Sequence, residues 1–133
     1  MANSYTYDAA TVSIQIDGQF MEDYGEGDFL QWEKSEDNLD VKVSANGTVG
    51  AAVRNNNLGS VTYKPMQGSP EVNFLHNLAN TKKVFSIAIN SGGDNPEIIT
   101  GSRCMILKNA DGSLSDEMGD REFEITVFDY TIK

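Results

Sequence analysis

Apolar and polar residues alternate with a period of two along several stretches of the chain, a pattern typical of half-buried β-strands. The clearest case is residues 39–45, followed by Asn46-Gly47 and then residues 48–54. Because Asn-Gly supplies the positive φ angles of a tight turn, this pattern predicts a β-hairpin. Its predicted apolar face holds Leu39, Val41, Val43, Val49, Ala51 and Val53. Its predicted polar face holds Asp40, Lys42, Ser44, Thr48 and Arg54.

Alternation also predicts a strand at residues 11–16, and Asp17-Gly18 then provides a turn into a second strand near Phe20. Further predicted strands are residues 59–64, 84–89, 97–108 and 121–132. Gly101 indicates a bulge or a close backbone approach. In the last stretch the alternation changes face at Val127-Phe128, which a bulge or a subunit contact would explain.

One stretch shows helical spacing instead, and it predicts a helix over about residues 70–79. Ser69 suits the N-cap, Pro70 the first helical position, and Glu71 the positive end of the helix. Its apolar positions are Val72, Leu75, Leu78 and Ala79. The predicted fold is therefore a single domain, residues 1–133, of the mainly β (α+β) class: a two-sheet sandwich or distorted barrel with one flanking helix.

The segment from Phe29 to Leu39 separates the first hairpin from the second. Residues 29–33, Phe-Leu-Gln-Trp-Glu, fit either a short strand or an ordered loop. For the whole segment we expect an extended loop that contacts a neighbouring subunit, with Trp32 as its apolar anchor. The residues predicted to lie at a subunit interface are Phe29, Trp32, Leu39, Phe128 and Tyr130.

Composition narrows the classes of function. The 133 residues include 20 acidic and 10 basic ones, for a net charge of −10. This balance argues against tight nucleic-acid binding, which depends on Lys and Arg. The single cysteine, Cys104, excludes an internal disulfide and favours a reduced compartment. No signal peptide or membrane anchor is expected.

Residues suited to catalysis or metal binding are few. His76 is the single histidine and lies between apolar helix positions, so a structural role is favoured. Residues 109–112, Asn-Ala-Asp-Gly, resemble part of a calcium loop, but Leu107 and Met118 then occupy positions that need acidic ligands. The sequence therefore predicts no enzyme, no metal site and no cofactor, although carboxylate spacing alone leaves a glycosidase pair open.

Several short motifs carry a family resemblance. They are the strand Gly59-Ser-Val-Thr, the connection Ser69-Pro-x-x-Asn, the following helix with Leu78, and the opening residues 4–8, Ser-Tyr-Thr-Tyr-Asp. Together they resemble the tail tube proteins of contractile-tailed bacteriophages, the myovirus phage structural protein family, which is related to contractile bacteriocin and type VI secretion tubes. Residues 111–121 depart from the resemblance, because this stretch is longer and more acidic than the corresponding part of the family is expected to be.

The resemblance implies a virion structural protein without catalysis, assembled in the bacterial host cytoplasm. Its copies would form hexameric rings that stack into a tube, with tail sheath and baseplate proteins as further partners. DNA or effectors would pass through the lumen without specific binding. The polar face of the 39–54 hairpin is the candidate lumen wall, and we expect that wall to be net negative. The alternatives are a monomeric β-sandwich module that binds carbohydrate or calcium, and a small hydrolase that uses carboxylates.

Overall fold

The computed structural model of the protein describes residues 7–53 and 55–133. Within these ranges there are ten strands and one α-helix, α1, at Pro70–Thr81, and a 3-10 turn at Ala9–Thr11 precedes the first strand. The strands are β1 Ser13–Ile16, β2 Gln19–Met21, β3 Leu30–Lys34, β4 Leu39–Val43, β5 Val49–Val53, β6 Gly59–Tyr63, β7 Phe85–Asn90, β8 Ile98–Ile106, β9 Phe123–Val127 and β10 Thr131–Ile132.

Eight of the described strands form one antiparallel sheet in the order β2-β1-β7-β8-β9-β6-β3, with β10 paired to β8. Strands β4 and β5 form a second, two-stranded sheet. The mainly β class with two sheets and one flanking helix is thus confirmed. The end strands β2 and β3 do not pair with each other, so the described residues form no closed barrel.

One face of the large sheet supplies the core. Ile14 lies opposite Ile89, and Ile89 lies opposite Ile99 on the next strand. Farther along the sheet, Ile125 lies opposite Val61. All five are buried. Because residues in register share a face of the sheet, these rows form one continuous apolar surface.

Helix α1 packs on this core through Leu75 and Leu78, which are both buried. Ser69 is the N-cap, as predicted, and its hydroxyl oxygen accepts a hydrogen bond from the Glu71 amide at 3.1 Å. The helix runs two residues beyond the predicted end. It stops at Lys82, whose φ of 55° is left-handed and whose amide donates to the Ala79 carbonyl.

Residues 22–29, which follow β2, run from β2 at one end of the large sheet to β6 and β3 at its other end. The Gly25 amide donates to the Lys64 carbonyl at 2.8 Å, and the Lys64 amide donates to the Phe29 carbonyl at 2.8 Å. The Tyr24 ring stacks on the Phe29 ring with centroids 4.5 Å apart. The Tyr24 hydroxyl also donates to the Val12 carbonyl at 3.0 Å. The segment therefore links the start of β1 to the end of β6.

The extended loop predicted for residues 29–39 is wrong over its first half. Leu30–Lys34 forms β3, which pairs with β6 from Leu30 opposite Tyr63 to Lys34 opposite Gly59. The alternation of Leu30, Trp32 and Lys34 with two polar residues suits an edge strand, and β6 provides the partner that a local pattern does not show.

Two irregularities predicted in the late strands have different outcomes. The expected bulge at Gly101 is confirmed, since the β7–β8 register shifts between the Phe85 and Ile87 pairs and leaves one extra residue on β8. The predicted strand 121–132 is in fact two strands, β9 and β10, separated by a turn at residues 128–130. That turn explains the change of face after Val127.

Candidate assembly surfaces

The β4–β5 hairpin has the structure that its sequence predicts. Its register places Leu39 opposite Val53, Val41 opposite Ala51, and Val43 opposite Val49. Gly47 takes a φ of 87°, which the tight turn needs, and the Ser44 amide donates to the Thr48 carbonyl at 2.8 Å. The hairpin continues outward from the β3–β6 pair, where the Ser35 amide donates to the Leu58 carbonyl at 2.9 Å.

The apolar face of this hairpin is exposed. Its Leu39 and four valines do not belong to the buried core, and no other described strand pairs with β4 or β5. The sequence pattern indicated an apolar face correctly, but this face has no cover from the described part of the chain. Apolar side chains grouped in this way are typical of a surface that another molecule covers.

The predicted interface residues differ in how far they are exposed. Phe29 stacks on Tyr24, and Trp32 lies half-buried on the edge strand β3 against the core. Leu39 at the start of β4 and Phe128 in the late turn are both exposed. For these four residues the interface role stays a prediction.

Tyr130 differs from the other predicted interface residues. It is 6% exposed, and its ring lies beside Gly59, where an added Cβ would come within 2.5 Å of it. After the turn at residues 128–130 its side chain belongs to the core. Its side chain is thus mostly buried within the chain, and its interface role also stays a prediction.

The candidate lumen residues lie on the opposite face of the hairpin. Lys42, Ser44 and Thr48 are exposed, and Asp40 is half-buried. The Ser44 hydroxyl accepts from the Thr48 amide at 3.1 Å and contacts the Asn46 side-chain oxygen, so it stabilises the turn. Arg54, the remaining candidate, lies outside the described residues. The lumen assignment stays a prediction.

Sequence reasoning missed a second polar surface, the outward face of the large sheet. One row across it pairs Glu33 with Ser60 and Ser60 with Thr126. The next row pairs Gln31 with Thr62 and Thr62 with Glu124. These side chains are hydroxyl, amide or carboxylate groups. The polar positions between apolar ones were visible in the sequence, but their alignment into rows depends on strand register.

The candidate base and the candidate nucleophile of the chain, His76 and Cys104, both take part in packing. His76 packs edge-on against Phe123 with ring centroids 4.9 Å apart, and its Nδ1 lies 3.0 Å from the Asn109 amide nitrogen. Cys104 is fully buried in β8, and burial raises the pKa of its thiol to about 12. Among residues 7–53 and 55–133, no group of three or more His, Cys, Asp or Glu side chains is arranged to hold a metal ion.

The described residues also contain no helix with the length and apolar character that a membrane span requires. No protein-family model and no curated protein matches the sequence. The structure, by contrast, is similar to a chain in the cryo-EM structure of the anti-feeding prophage cap, described as the AFP tube terminating cap, with a TM-score of 0.67. The likeness covers 100% of this chain and 94% of that chain at 12% sequence identity, so it establishes a shared fold.

Proposed function

We propose that this chain is a structural subunit of the tail of a contractile bacteriophage or a phage-like injection particle. The observation that carries the proposal is the fold likeness over the whole chain to a chain from the tube-terminating cap structure. In the finer form of the proposal, copies of the chain form hexameric rings that stack into the inner tube. Its partners are then other copies of the same chain, together with sheath and baseplate proteins. The subunits assemble in the host cytoplasm.

Two features of the surface support self-association. The β4–β5 hairpin exposes a row of apolar side chains, and β3 at the end of the large sheet has one edge without a described partner strand. Subunits made of β-sheet commonly associate through unpaired edge strands and exposed apolar faces. We also propose that the role needs no catalysis, because His76, the single histidine of the sequence, and Cys104, its single thiol, are both occupied in packing.

Negative-stain electron microscopy of the purified protein, together with sedimentation over a wide concentration range, tests the assembly. The expected result is rings or tubes that increase with concentration. Sedimentation as a monomer at every concentration would contradict it. A monomer that binds carbohydrate or Ca²⁺ in titration calorimetry would favour the ligand-binding alternative.

The proposed tube is a conduit for DNA or effectors, and we propose that its bore is net negative. A bore rich in Lys and Arg would hold DNA through phosphate contacts and slow its passage. The chain as a whole carries −10, and the outward face of the sheet carries Glu33 and Glu124. The sequence of the hairpin has Asp40 against the two basic residues Lys42 and Arg54, so a negative bore at that wall requires that these pair with Asp40 or with acids of a neighbouring subunit. Tight, salt-sensitive binding of DNA by assembled tubes would overturn this part of the proposal.

The two candidate walls are distinguished by site-specific labelling. Cys104 is buried and the pKa of its thiol is raised, so it should not react with a thiol-directed label. A cysteine introduced at the surface is then labelled selectively. A Lys42→Cys variant labels the hairpin face, and a Glu33→Cys variant labels the sheet face. After conjugation to a gold cluster, density inside the bore in electron micrographs identifies the wall. Density outside the tube for Lys42→Cys would show that the hairpin face does not line the lumen.

A further inference from the structure

The turn of the β4–β5 hairpin contains a dipeptide with covalent chemistry of its own. Asn46-Gly47 is the single Asn-Gly pair in the sequence. Because glycine has no side chain to shield its amide nitrogen, in an open chain this nitrogen reaches the side-chain carbonyl carbon of the preceding asparagine. Both residues are exposed, and open space surrounds the position that a Cβ on Gly47 would take. Water and hydroxide therefore have free access to the turn.

The reaction open to this pair is deamidation through a cyclic imide. The Gly47 nitrogen gives its proton to hydroxide and forms a bond to Cγ of Asn46, while the bond from Cγ to Nδ2 breaks and ammonia leaves with a proton from water. Water then opens the imide at one of its two carbonyl carbons. Opening at Cγ leaves aspartate, and opening at the Asn46 backbone carbon leaves isoaspartate, whose chain runs through Cβ and Cγ. Water is the net co-reactant, and no group is oxidised or reduced.

The closed turn keeps the reacting groups from this reaction. The Gly47 amide donates to the Ser44 carbonyl at 2.9 Å, which fixes its proton and its orientation. The Oδ1 atom of Asn46 accepts from the Ser44 hydroxyl and, at 3.4 Å, from the Thr48 amide. Attack requires the Gly47 nitrogen to lose its proton and the Asn46 side chain to rotate toward it, so these hydrogen bonds must break. The closed hairpin thus protects Asn46 until the turn opens.

The fold gives this hairpin little protection against opening. No other described strand pairs with β4 or β5, and residues 41–53 are all exposed. A two-stranded hairpin without tertiary packing is marginally stable in water. Local opening of the turn therefore takes only a small part of the free energy that unfolds the large sheet.

We propose that Asn46 is a site of spontaneous deamidation and that local opening of the β4–β5 hairpin controls its rate. The isoaspartate product adds a methylene group to the backbone at the turn. The register that places Val43 opposite Val49 then no longer fits the turn bond from Gly47 to Ser44. The modification is thus an irreversible change of the hairpin that leaves the large sheet folded. It goes beyond the proposed function and does not rest on it, so either can fail alone.

The test follows the full chain during incubation in mildly alkaline buffer. Peptide mapping by mass spectrometry measures deamidation at each asparagine, and methylation by an isoaspartyl methyltransferase identifies isoaspartate. The unchanged chain is compared in its folded state and in denaturant. Ser44→Ala removes the hydroxyl that bonds both the Asn46 side chain and the Thr48 amide, and Thr48→Ser, which keeps that amide, is its matched control. Hydrogen exchange of the Ser44 amide, which donates to the Thr48 carbonyl, reports opening of the turn.

We expect Asn46 to deamidate faster than the other asparagines, and at least about tenfold faster in denaturant than in the folded chain. Ser44→Ala should raise both the deamidation rate of Asn46 and the exchange rate of the amide at position 44 by about three- to tenfold, because hydrogen bonds of the closed turn are lost. Thr48→Ser should change either rate by less than about twofold. Far-ultraviolet circular dichroism shows that the large sheet of each variant is folded.

Three outcomes would overturn the inference. Deamidation of Asn46 in denaturant no faster than that of Asn38 or Asn73 removes the site. Equal deamidation rates of Asn46 in the folded chain and in denaturant remove control by the hairpin. Faster amide exchange in Ser44→Ala with an unchanged deamidation rate shows that attack does not pass through the open turn. If Ser44→Ala does not fold, the comparison of the unchanged chain with and without denaturant still decides.

Discussion

The hydroxyl of Tyr63 donates a hydrogen bond to Oε1 of Glu71 at 2.6 Å. The other carboxylate oxygen of Glu71 accepts from the backbone amides of Glu22 at 2.6 Å and Asp23 at 3.1 Å. One side chain thus joins the end of β6, the first turn of α1 and the segment after β2. Burial, reinforced by the bond to Glu71, raises the pKa of Tyr63, so its hydroxyl remains a donor throughout the physiological pH range.

Glu71→Ala should lower the free energy of unfolding by about 1–3 kcal/mol, because the Tyr63 hydroxyl and two backbone amides lose their acceptor. Tyr63→Phe should cost less, about 1 kcal/mol, since one bond is lost. Denaturant unfolding of both variants and of the double variant measures their coupling. Glu124→Ala, on the exposed side of β9, is the control and should change stability by less than about 0.5 kcal/mol. Equal effects of Glu71→Ala and Glu124→Ala would show that the Glu71 contacts contribute nothing.

Gly59→Ala should destabilise the fold by about 1–3 kcal/mol, since the added methyl group would lie within 2.5 Å of the Tyr130 ring. The ring is buried against the core and has little room to move away. Gly50→Ala is the matched control, because Gly50 is also in a strand and has open space around its Cβ position. Thermal unfolding measures both variants. A Gly59→Ala variant as stable as Gly50→Ala would place the Tyr130 ring elsewhere.

The stability of the chain should depend on Asp129 in the acid range. Its carboxylate accepts from the Ser102 hydroxyl and from the amides of Ser102 and Arg103, and these bonds lower the pKa of Asp129 below the ordinary value of 3.8. The carboxylate therefore stabilises the folded state fully above the unfolded pKa, and this contribution is lost as pH falls through the lower, folded pKa.

Asp129→Asn is the variant that isolates this effect from the other carboxylates. At pH 7 it should be less stable than the unchanged chain by about 1 kcal/mol. The difference should begin to shrink as the pH falls through the ordinary aspartate pKa of about 4, where the unfolded chain binds the proton, and it should be lost as the pH falls through the lower pKa of folded Asp129. Denaturant unfolding of both proteins at several pH values measures the difference. A gap that stays constant down to the lowest pH would contradict the assignment.

Cys104 should resist alkylation in the folded protein. With a thiol pKa of about 12, the thiolate fraction at pH 8 is on the order of one in ten thousand, and burial also blocks access. Iodoacetamide labelling followed by mass spectrometry should show modification in denaturant and none in buffer. A Ser113→Cys variant, with its thiol in the exposed loop after β8, should be modified once in buffer. Rapid labelling of Cys104 itself would indicate that β8 opens locally.

The elements that sequence predicts well here are those fixed by local chemistry. Asn46-Gly47 specifies a turn, and Ser69 with Pro70 specifies the start of a helix, whatever the rest of the chain does. Both features appear at the predicted residues. Their stabilising contacts lie within a few residues, so a sequence window contains the full information.

Other features depend on partners that are distant in sequence. Trp32 lies on a strand because β6 pairs with it, and Tyr130 lies in the core because the turn at residues 128–130 carries it to Gly59. The apolar face that contains Val43 is a further case. Alternation identifies such a face, but it does not state whether the same chain or another molecule covers it.

Strand β9, Phe123–Val127, lies between β8 and β6 in the large sheet. In the described chain it makes the ladder connection between the group β2-β1-β7-β8 and the pair β6-β3. Contacts such as Val61 with Ile125 span a long stretch of sequence, and topologies of this kind fold slowly. We therefore expect the two groups of strands to join into one sheet only after β9 has been synthesised. The core of the chain is then completed late in folding, when this one strand pairs on both of its edges.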